Sequence, residues 1–594
     1  MKKVLLIFAA ASALFSQSPP ALHPGPLTDG SELLPMGWRI RPAGTQVKLG
    51  NFPLGSAVSP DGKFLLVVNA GQPASISVLR TDTMAETSRV PVASAWQGIA
   101  FSSDAKNVYV GSGARNTVFE FTFSSEGVLT PAKEMAGAAT GGFIGDIAIP
   151  RDGRMIFAAD LMRNEILVIN PQSGRVIQQF KTARRPYQIL FHPDGKSFFV
   201  SSWADASVVQ HNTDTGEELT RTRVAPHPTG MAISDRRIPD EPTAPPLRLF
   251  VAAANTNDVF VLGVDGSKIV SQLDVLNVGF GPGMPAGMTP SALALSADQT
   301  QLFVACSNVN AVAVADISDL RSRLTGFIPT GAYPSSLRTI GNRLVATNAH
   351  SGSATVLPLT VSLATVTDQA IDLVAYDPAE TAPKAPPVEN VILVTFDANI
   401  GSNFAKLAKG FGTAINFYPN APRAEGVDWA LSGLPSDFVQ RMRGNAITAN
   451  DPANLPPVGT LLLNARQAGL TTGEFGPAMP QQLPAALPRF TLIRLNGTDA
   501  DRNLGRVAET LSKSGVWTKT VMIVLAENSP LLLVSPYTRT APTPTGMFYN
   551  HSSVLRTIEL ILKLRPLTVF DASARPLTDL FSATANTEPF NAEN

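Results

Sequence analysis

Few side chains in this sequence are of the kinds that do chemistry. It holds six histidines and a single cysteine, Cys306, in 594 residues. His192, His211, His227 and His350 are spread through the middle of the chain, and their convergence would make an acid–base cluster. His192 and His227 each precede a proline, however, in positions where a ring more often serves a turn than a reaction. Trp96 and Trp203 suit inter-strand packing as well as a ligand platform. One cysteine cannot form an intrachain disulfide, and it excludes Cys-rich zinc modules. Beyond residue 388 the only histidine is His551, so a zinc pair there would lack the several imidazoles it usually takes. Asp397 ends the apolar run Val391–Phe396, where an acid either caps the next element or binds a ligand. No Gly-x-Ser-x-Gly elbow, phosphate-binding glycine loop or His-Glu-x-x-His motif supplies another chemistry.

The elements that must position these residues begin with a repeat. Val67-Val68-Asn69-Ala70, Tyr109-Val110-Gly111-Ser112, Phe157-Ala158-Ala159-Asp160, Phe199-Val200-Ser201-Ser202, Phe250-Val251-Ala252-Ala253, Phe303-Val304-Ala305-Cys306 and Leu344-Val345-Ala346-Thr347 hold equivalent places in seven units. Their spacing of about 41 to 53 residues is that of propeller blades with four short strands apiece. Between strands, Ser59-Pro60-Asp61-Gly62, Pro150-Arg151-Asp152-Gly153 and His192-Pro193-Asp194-Gly195 are hairpin turns in which glycine takes a positive φ. Ser103-Asp104-Ala105 and Ala297-Asp298-Gln299 are worn copies. A strand over Thr45–Leu49 is expected to join the last blade and close the ring, since closure removes exposed edges.

A second unit follows. Residues 45–365 are assigned to the propeller, 366–387 to a Pro/Ala-rich linker and 388–594 to a domain in which buried strands alternate with helices. Its strands are expected at Val391–Phe396, Phe490–Leu495, Thr520–Leu525 and Leu531–Val534. Its helices are expected at Asn503–Lys513 and Ser553–Lys563, the latter capped by Asn550 or Ser552. The fold class is therefore multidomain, an all-β seven-bladed propeller followed by an α/β sandwich.

The repeats resemble those of the YVTN-type seven-bladed β-propellers, which are similar to the lactonase-like propellers; no lactonase catalytic set can be matched residue by residue. Ser535-Pro536-Tyr537-Thr538-Arg539, Phe548 to Leu562 and Phe570-Asp571-Ala572 resemble the final elements of the phosphoesterase branch of the alkaline-phosphatase superfamily. That resemblance implies a two-metal site hydrolysing phosphate esters through a Thr or Ser nucleophile. Asp397 fits its first ligand position, but Ile400 stands where the nucleophile belongs, and Val427 stands where a histidine belongs. Glu527-Asn528 replaces paired aspartates, and the histidine-bearing loop before Ser535 has shrunk to Ser529-Pro530. No catalytic residue and no cofactor is therefore expected. An all-oxygen Ca²⁺ or Mg²⁺ site of Asp397, Asp428 and Glu527 remains as an alternative, because hard cations need only oxygen ligands.

Charge and the N-terminus complete the reading. Lys+Arg and Asp+Glu are 47 each, and no basic run is present, so nucleic acid is not an expected partner. Met1-Lys2-Lys3 and the apolar stretch Val4–Phe15 read as a signal peptide over 1–18, with an extension over 19–44. The mature chain is expected to be exported, periplasmic or extracellular, without a membrane-spanning segment. The expected role is a binding or scaffold protein that recognises a protein or small molecule on a propeller face. A phosphoesterase reduced to a site around Asp397 is the second reading, and a propeller lactonase the third.

Overall fold

The computed structural model describes residues 23–137, 140–239, 241–254, 256–266, 268–374, 387–419, 431–433, 441, 459–476, 487–526, 530–538 and 547–593. The expected signal peptide over 1–18, Asp428, Glu527 and residues 375–386 lie outside these.

Seven successive sheets each begin with an inner strand, and most of these start in a shared way. In five of them a residue in the left-handed region (Phe52, Arg185, His227, Thr289, Tyr333) is followed by a proline that opens the strand (Pro53, Pro186, Pro228, Pro290, Pro334). Proline is tolerated there because the first strand residue need not donate to the ladder. The carbonyl of each left-handed residue accepts the amide of Ala70, Trp203, Ala254, Ser307 or Ala349 at 2.8–3.0 Å. Backbone strain is offset by stacking: His227 lies 3.8 Å from Trp203, and Tyr333 and Phe52 flank His350 at 4.6 and 5.7 Å.

Among the described residues there are seven four-stranded antiparallel sheets, and their inner strands touch in cyclic order from Pro53–Val58 round to Pro334–Ile340 and back. The molecule therefore contains a seven-bladed β-propeller. The second strands, such as Phe64–Asn69 and Ser197–Ser202, are buried along their whole length, while outer strands such as Glu86–Pro91 are half exposed. The expected closing strand forms as Thr45–Lys48, antiparallel to Ser353–Pro358, with Val47 opposite Ala354. The Asp-Gly turns form as read, Asp61, Asp152 and Asp194 each accepting the amide two residues on. In the worn copies Asp104 and Asp298 do the same, with Ala105 and Gln299 at positive φ.

Side chains and close backbones join neighbouring blades around the central channel. Ser201 Oγ donates to the Thr229 carbonyl, Thr229 Oγ1 to that of Pro290, Ser307 Oγ to that of Pro334 and Ser335 Oγ to that of Pro53, at 2.6–3.2 Å. Asp146 accepts the Ile189 amide at 2.8 Å, and Gln188 accepts that of Met231. Between the first two blades the contact is backbone to backbone: a Cβ on Gly55 would stand 1.8 Å from the Gln97 carbonyl oxygen.

The second unit is a mixed sheet in which Asn390–Asp397 runs parallel between Phe490–Asn496 and Thr520–Ala526, with the parallel Thr472–Phe475 beyond the first and, beyond the second, Leu531–Val534 running antiparallel and Gly412–Ala414 pairing antiparallel to it. Helices Ser402–Gly410 and Ala500–Ser512 cover one face, and His551–Leu562 covers the other. Asn550 caps the last of these in a reciprocal capping box with Ser553.

One boundary is corrected. The linker expected from residue 366 gives way to a helix at Leu363–Val374. Val366, Ala370 and Val374 recur at helical spacing and are buried, and Thr367 Oγ1 accepts the Phe327 amide at 2.8 Å, where glycine at 326 leaves room. The extension is structured as well: Trp38 stacks on Phe570 at 4.3 Å and donates to Ser573 at 3.0 Å, while the Ala286 carbonyl accepts the Val569 amide. The second unit thus docks directly on the propeller.

Removing Thr45–Lys48 exposes the edge of Ser353–Pro358 and is expected to lower the midpoint of thermal unfolding by at least about 5 °C. An unchanged midpoint in calorimetry would show that the ring does not depend on this closure.

Candidate functional site

Two places have the geometry a site needs, the end of the strand Asn390–Asp397 and the centre of the propeller. At the first, Asp397 is exposed and Ile400 is half exposed, immediately before the helix Ser402–Gly410. A helix N-terminus beyond a parallel strand offers free amides to an anion. Here Gly401 is the cap and has no side chain to serve them. Asp501, from the neighbouring helix, does so instead: its two carboxylate oxygens accept the amides of Asn403 at 3.0 Å and Phe404 at 2.9 Å. A Cβ on Gly401 would stand 2.4 Å from that carboxylate. The chain's own acid fills the first turn.

The structure places Asp397 and Ile400 as the sequence reading locates them, while Asp428 and Glu527 lie outside the described residues. Among the described residues no three His, Cys, Asp or Glu side chains stand together as a metal site. Asp397 stands at an exposed strand end, and Ile400 stands just before a helix start whose amides already bond a carboxylate. His551 is buried, edge-on to Phe417 at 5.2 Å, and burial drives its imidazole down to about 4, so the ring is neutral at neutral pH.

Histidines in the propeller are each held locally. His192 accepts the Asp194 amide within its turn, His211 bonds Thr182 and the Gly216 carbonyl, His227 stacks on Trp203, and His350 stacks on Tyr333. Trp96 and Trp203 are fully buried. Trp96 packs edge-on against Phe143 and Tyr187 at 5.4 and 5.3 Å, which makes it an inter-blade wedge.

At the propeller centre lies a polar cavity of about 100 Å³ bordered by Ser56, Gln97, Asp146, Gln188 and Arg338. Arg441, a residue of the second unit, joins this lining: it is 2% exposed, its guanidinium lies 5.6 Å from the Tyr333 ring centroid, and its carbonyl accepts Trp96 Nε1 at 3.2 Å. The volume decides the reading, since ligand pockets run to roughly 300–1,000 Å³ and a cavity this small suits ordered water. Most of its polar groups are already committed: Ser56 bonds Ser336, Gln97 donates to the Tyr187 carbonyl and Arg338 to those of Leu337 and Ser56. Burial pushes the Asp146 carboxyl up to about 7, against the opposing pull of the Ile189 and Ile147 amides and of Arg338.

Asp501 and Arg441 were not foreseen. For Asp501 the signal was a helix start at Gly401-Ser402 without an effective cap, which requires a foreign acceptor; for Arg441 the local sequence carries none.

No family model matches the chain, and no curated protein does. Solved structures similar to it include the hydrazine synthase of Kuenenia stuttgartiensis, at 20% identity over 54% of this chain and 99% of that one, with a TM-score of 0.43. Virginiamycin B lyase from Staphylococcus aureus is similar at 15% identity over 52% and 98%, with a TM-score of 0.42. The periplasmic gluconolactonase of Pseudomonas aeruginosa is similar at 17% identity over 49% and 88%, with a TM-score of 0.41. The ring of sheets itself, rather than these likenesses, defines the propeller.

A buried acid with a raised folded pKa binds its proton more tightly in the native state, so its contribution to stability falls as pH rises from its ordinary value of 3.8 to about 7. For Asp146 that fall is roughly 4 kcal/mol at most. Asp146→Asn keeps an acceptor for Ile189 and is expected to flatten the loss of stability between pH 4.5 and 7.5 in urea unfolding. A variant with the wild-type pH slope would show that Asp146 is ionised throughout.

Proposed function

We propose that this protein is an exported binding or scaffold protein in which the propeller recognises a ligand or partner and the α/β unit is a fixed second surface rather than a catalyst. The observation that carries the reading is the helix start after Asp397. In a phosphoesterase of the alkaline-phosphatase superfamily this position would present a hydroxyl nucleophile and free donors to the phosphoryl group. Here the side chain before the helix is Ile400, which has no nucleophilic atom, and Asp501 accepts the Asn403 and Phe404 amides. A second carboxylate at that point also repels a phosphoryl oxyanion.

Docking of the two units supports the same reading. Trp38, Phe570 and Val569 share one apolar cluster with blade residues such as Val304 and Phe327, and Arg441 reaches the propeller channel. Truncating a buried Trp or Phe at such a junction costs about 3–5 kcal/mol. A junction of that strength holds one composite surface rather than two independent modules.

The test is turnover by the mature chain, supplied with Mg²⁺, Mn²⁺, Ca²⁺ or Zn²⁺, on p-nitrophenyl phosphate, bis-p-nitrophenyl phosphate and a δ-lactone. Rates within about two-fold of buffer are expected for all three. Phosphate-ester hydrolysis lost in Asp397→Ala would establish the reduced phosphoesterase instead, and lactone hydrolysis by residues 45–365 alone would establish a propeller lactonase.

A further inference from the structure

A larger cavity, of about 470 Å³, opens on the propeller where the second, third and fourth blades meet. That volume lies within the range of small-molecule sites. Its walls are built by one buried side chain. Asp160 Oδ1 accepts the amides of Phe143 at 2.9 Å and of Met162 and Arg163 at 3.2 Å, tying the loop that enters the third blade to the turn that follows its second strand. Gly142 permits this, since a Cβ there would stand 2.2 Å from the Asp160 carboxylate. Gly141, at φ +76°, leaves open space where a side chain would stand.

Chemistry of the lining is one-sided. Phe143, Leu161 and Met162 supply an apolar wall, and Arg184, Arg185 and Asn164 supply the polar one. No acidic side chain belongs to the lining among the described residues. Arg184 is fixed in place, its Nε donating to Asp205 at 2.7 Å and its Nη2 to the Ala204 carbonyl at 2.9 Å. Arg185 is held with its backbone amide on Asn164 Oδ1 at 2.9 Å and its guanidinium 5.7 Å from the Trp203 ring centroid. The Nε and Nη2 edge of Arg184 is already shared with a carboxylate and a carbonyl, so an incoming oxyanion meets a guanidinium held in position beside Arg185.

We propose that this cavity binds a small amphiphilic anion, with an oxyanion head at Arg184 and Arg185 and an apolar body against Phe143, Leu161 and Met162. The inference rests on the reading of the propeller as a binding module and gives that module its ligand class. Phe143 also packs on Trp96, which bonds the Arg441 carbonyl, so the site adjoins the contact with the second unit.

Calorimetric titration of the full mature chain with 4-phenylbutyrate, phenyl phosphate and uncharged 4-phenylbutanol tests this. At least one anionic probe is expected to saturate one site with a Kd below about 1 mM, at least ten-fold tighter than the alcohol; the tighter of the two identifies the head as carboxylate or phosphate. Arg184→Glu is expected to weaken that probe at least ten-fold. Ala114→Trp, which crowds the exposed rim without touching the core, is expected to do the same and carries the test if the charge reversal fails to fold. Absence of saturable anion binding, equal binding of the alcohol, or unchanged affinity in folded Ala114→Trp would overturn the proposal. Probe binding together with phosphate-ester turnover would remove the scaffold reading and leave the site, whereas neither binding nor turnover would remove the site and leave the scaffold.

Discussion

Each blade of the propeller is tied to the next at its inner edge, and the rest of the architecture depends on that tie. Hydroxyls of Ser201, Thr229, Ser307 and Ser335 pass from one blade to a carbonyl at the start of the next, and Asp146 and Gln188 accept amides between the third and fourth and the fourth and fifth blades. A polar group at the centre of a ring must bond across it or face a desolvation cost of about 1–3 kcal/mol. Small residues make the approach close enough, most clearly where the Gln97 carbonyl leaves no room for a Cβ on Gly55. The result is a narrow channel whose side chains hold structure, and the room for a ligand lies farther out, between blades.

The second unit shows the same economy of donors. A strand-to-helix crossing is a natural place to bind an anion, and in this chain the anion is internal. Asp501 belongs to a helix that packs beside Ser402–Gly410, so its carboxylate both caps one helix and joins two. An N-terminal cap is worth about 1 kcal/mol, so the arrangement stabilises the layer while removing the donors a phosphoryl group would require. A helix cap and an anion site make opposite demands on those amides, and here the amides serve the cap.

Much of this was legible in the sequence. The seven-fold repeat, the Asp-Gly turns and the closing strand could be read because each depends on local chemistry: alternation, a positive φ, a short polar turn. The four strands and two helices foreseen in the second unit formed for the same reason, as continuous apolar runs and a 3.6-residue stripe. The helix Leu363–Val374 was missed although Leu363, Val366, Ala370 and Val374 recur at helical spacing, because most of it was merged with the Pro/Ala-rich stretch that follows it. The candidate site was legible only in part. Asp397 and Ile400 are local facts, but Asp501 acts on a helix 98 residues away and Arg441 reaches blades several hundred residues earlier, and pairings at that range leave no periodic trace. Asp160 likewise looked like the small-residue end of a core strand, and its role as the frame of a cavity depends on three amides brought to it by folding.

Metal stoichiometry tests the central claim most directly. Purified protein equilibrated with Zn²⁺, Mn²⁺, Ca²⁺ and Mg²⁺, desalted and assayed by elemental mass spectrometry is expected to retain well under about 0.1 ion per chain, since tight metal sites need converging, deprotonated ligands. Retention of one or two ions per chain, abolished by Asp397→Ala, would contradict the account and place a working metal centre at the strand end that Asp501 and Ile400 are argued to have closed.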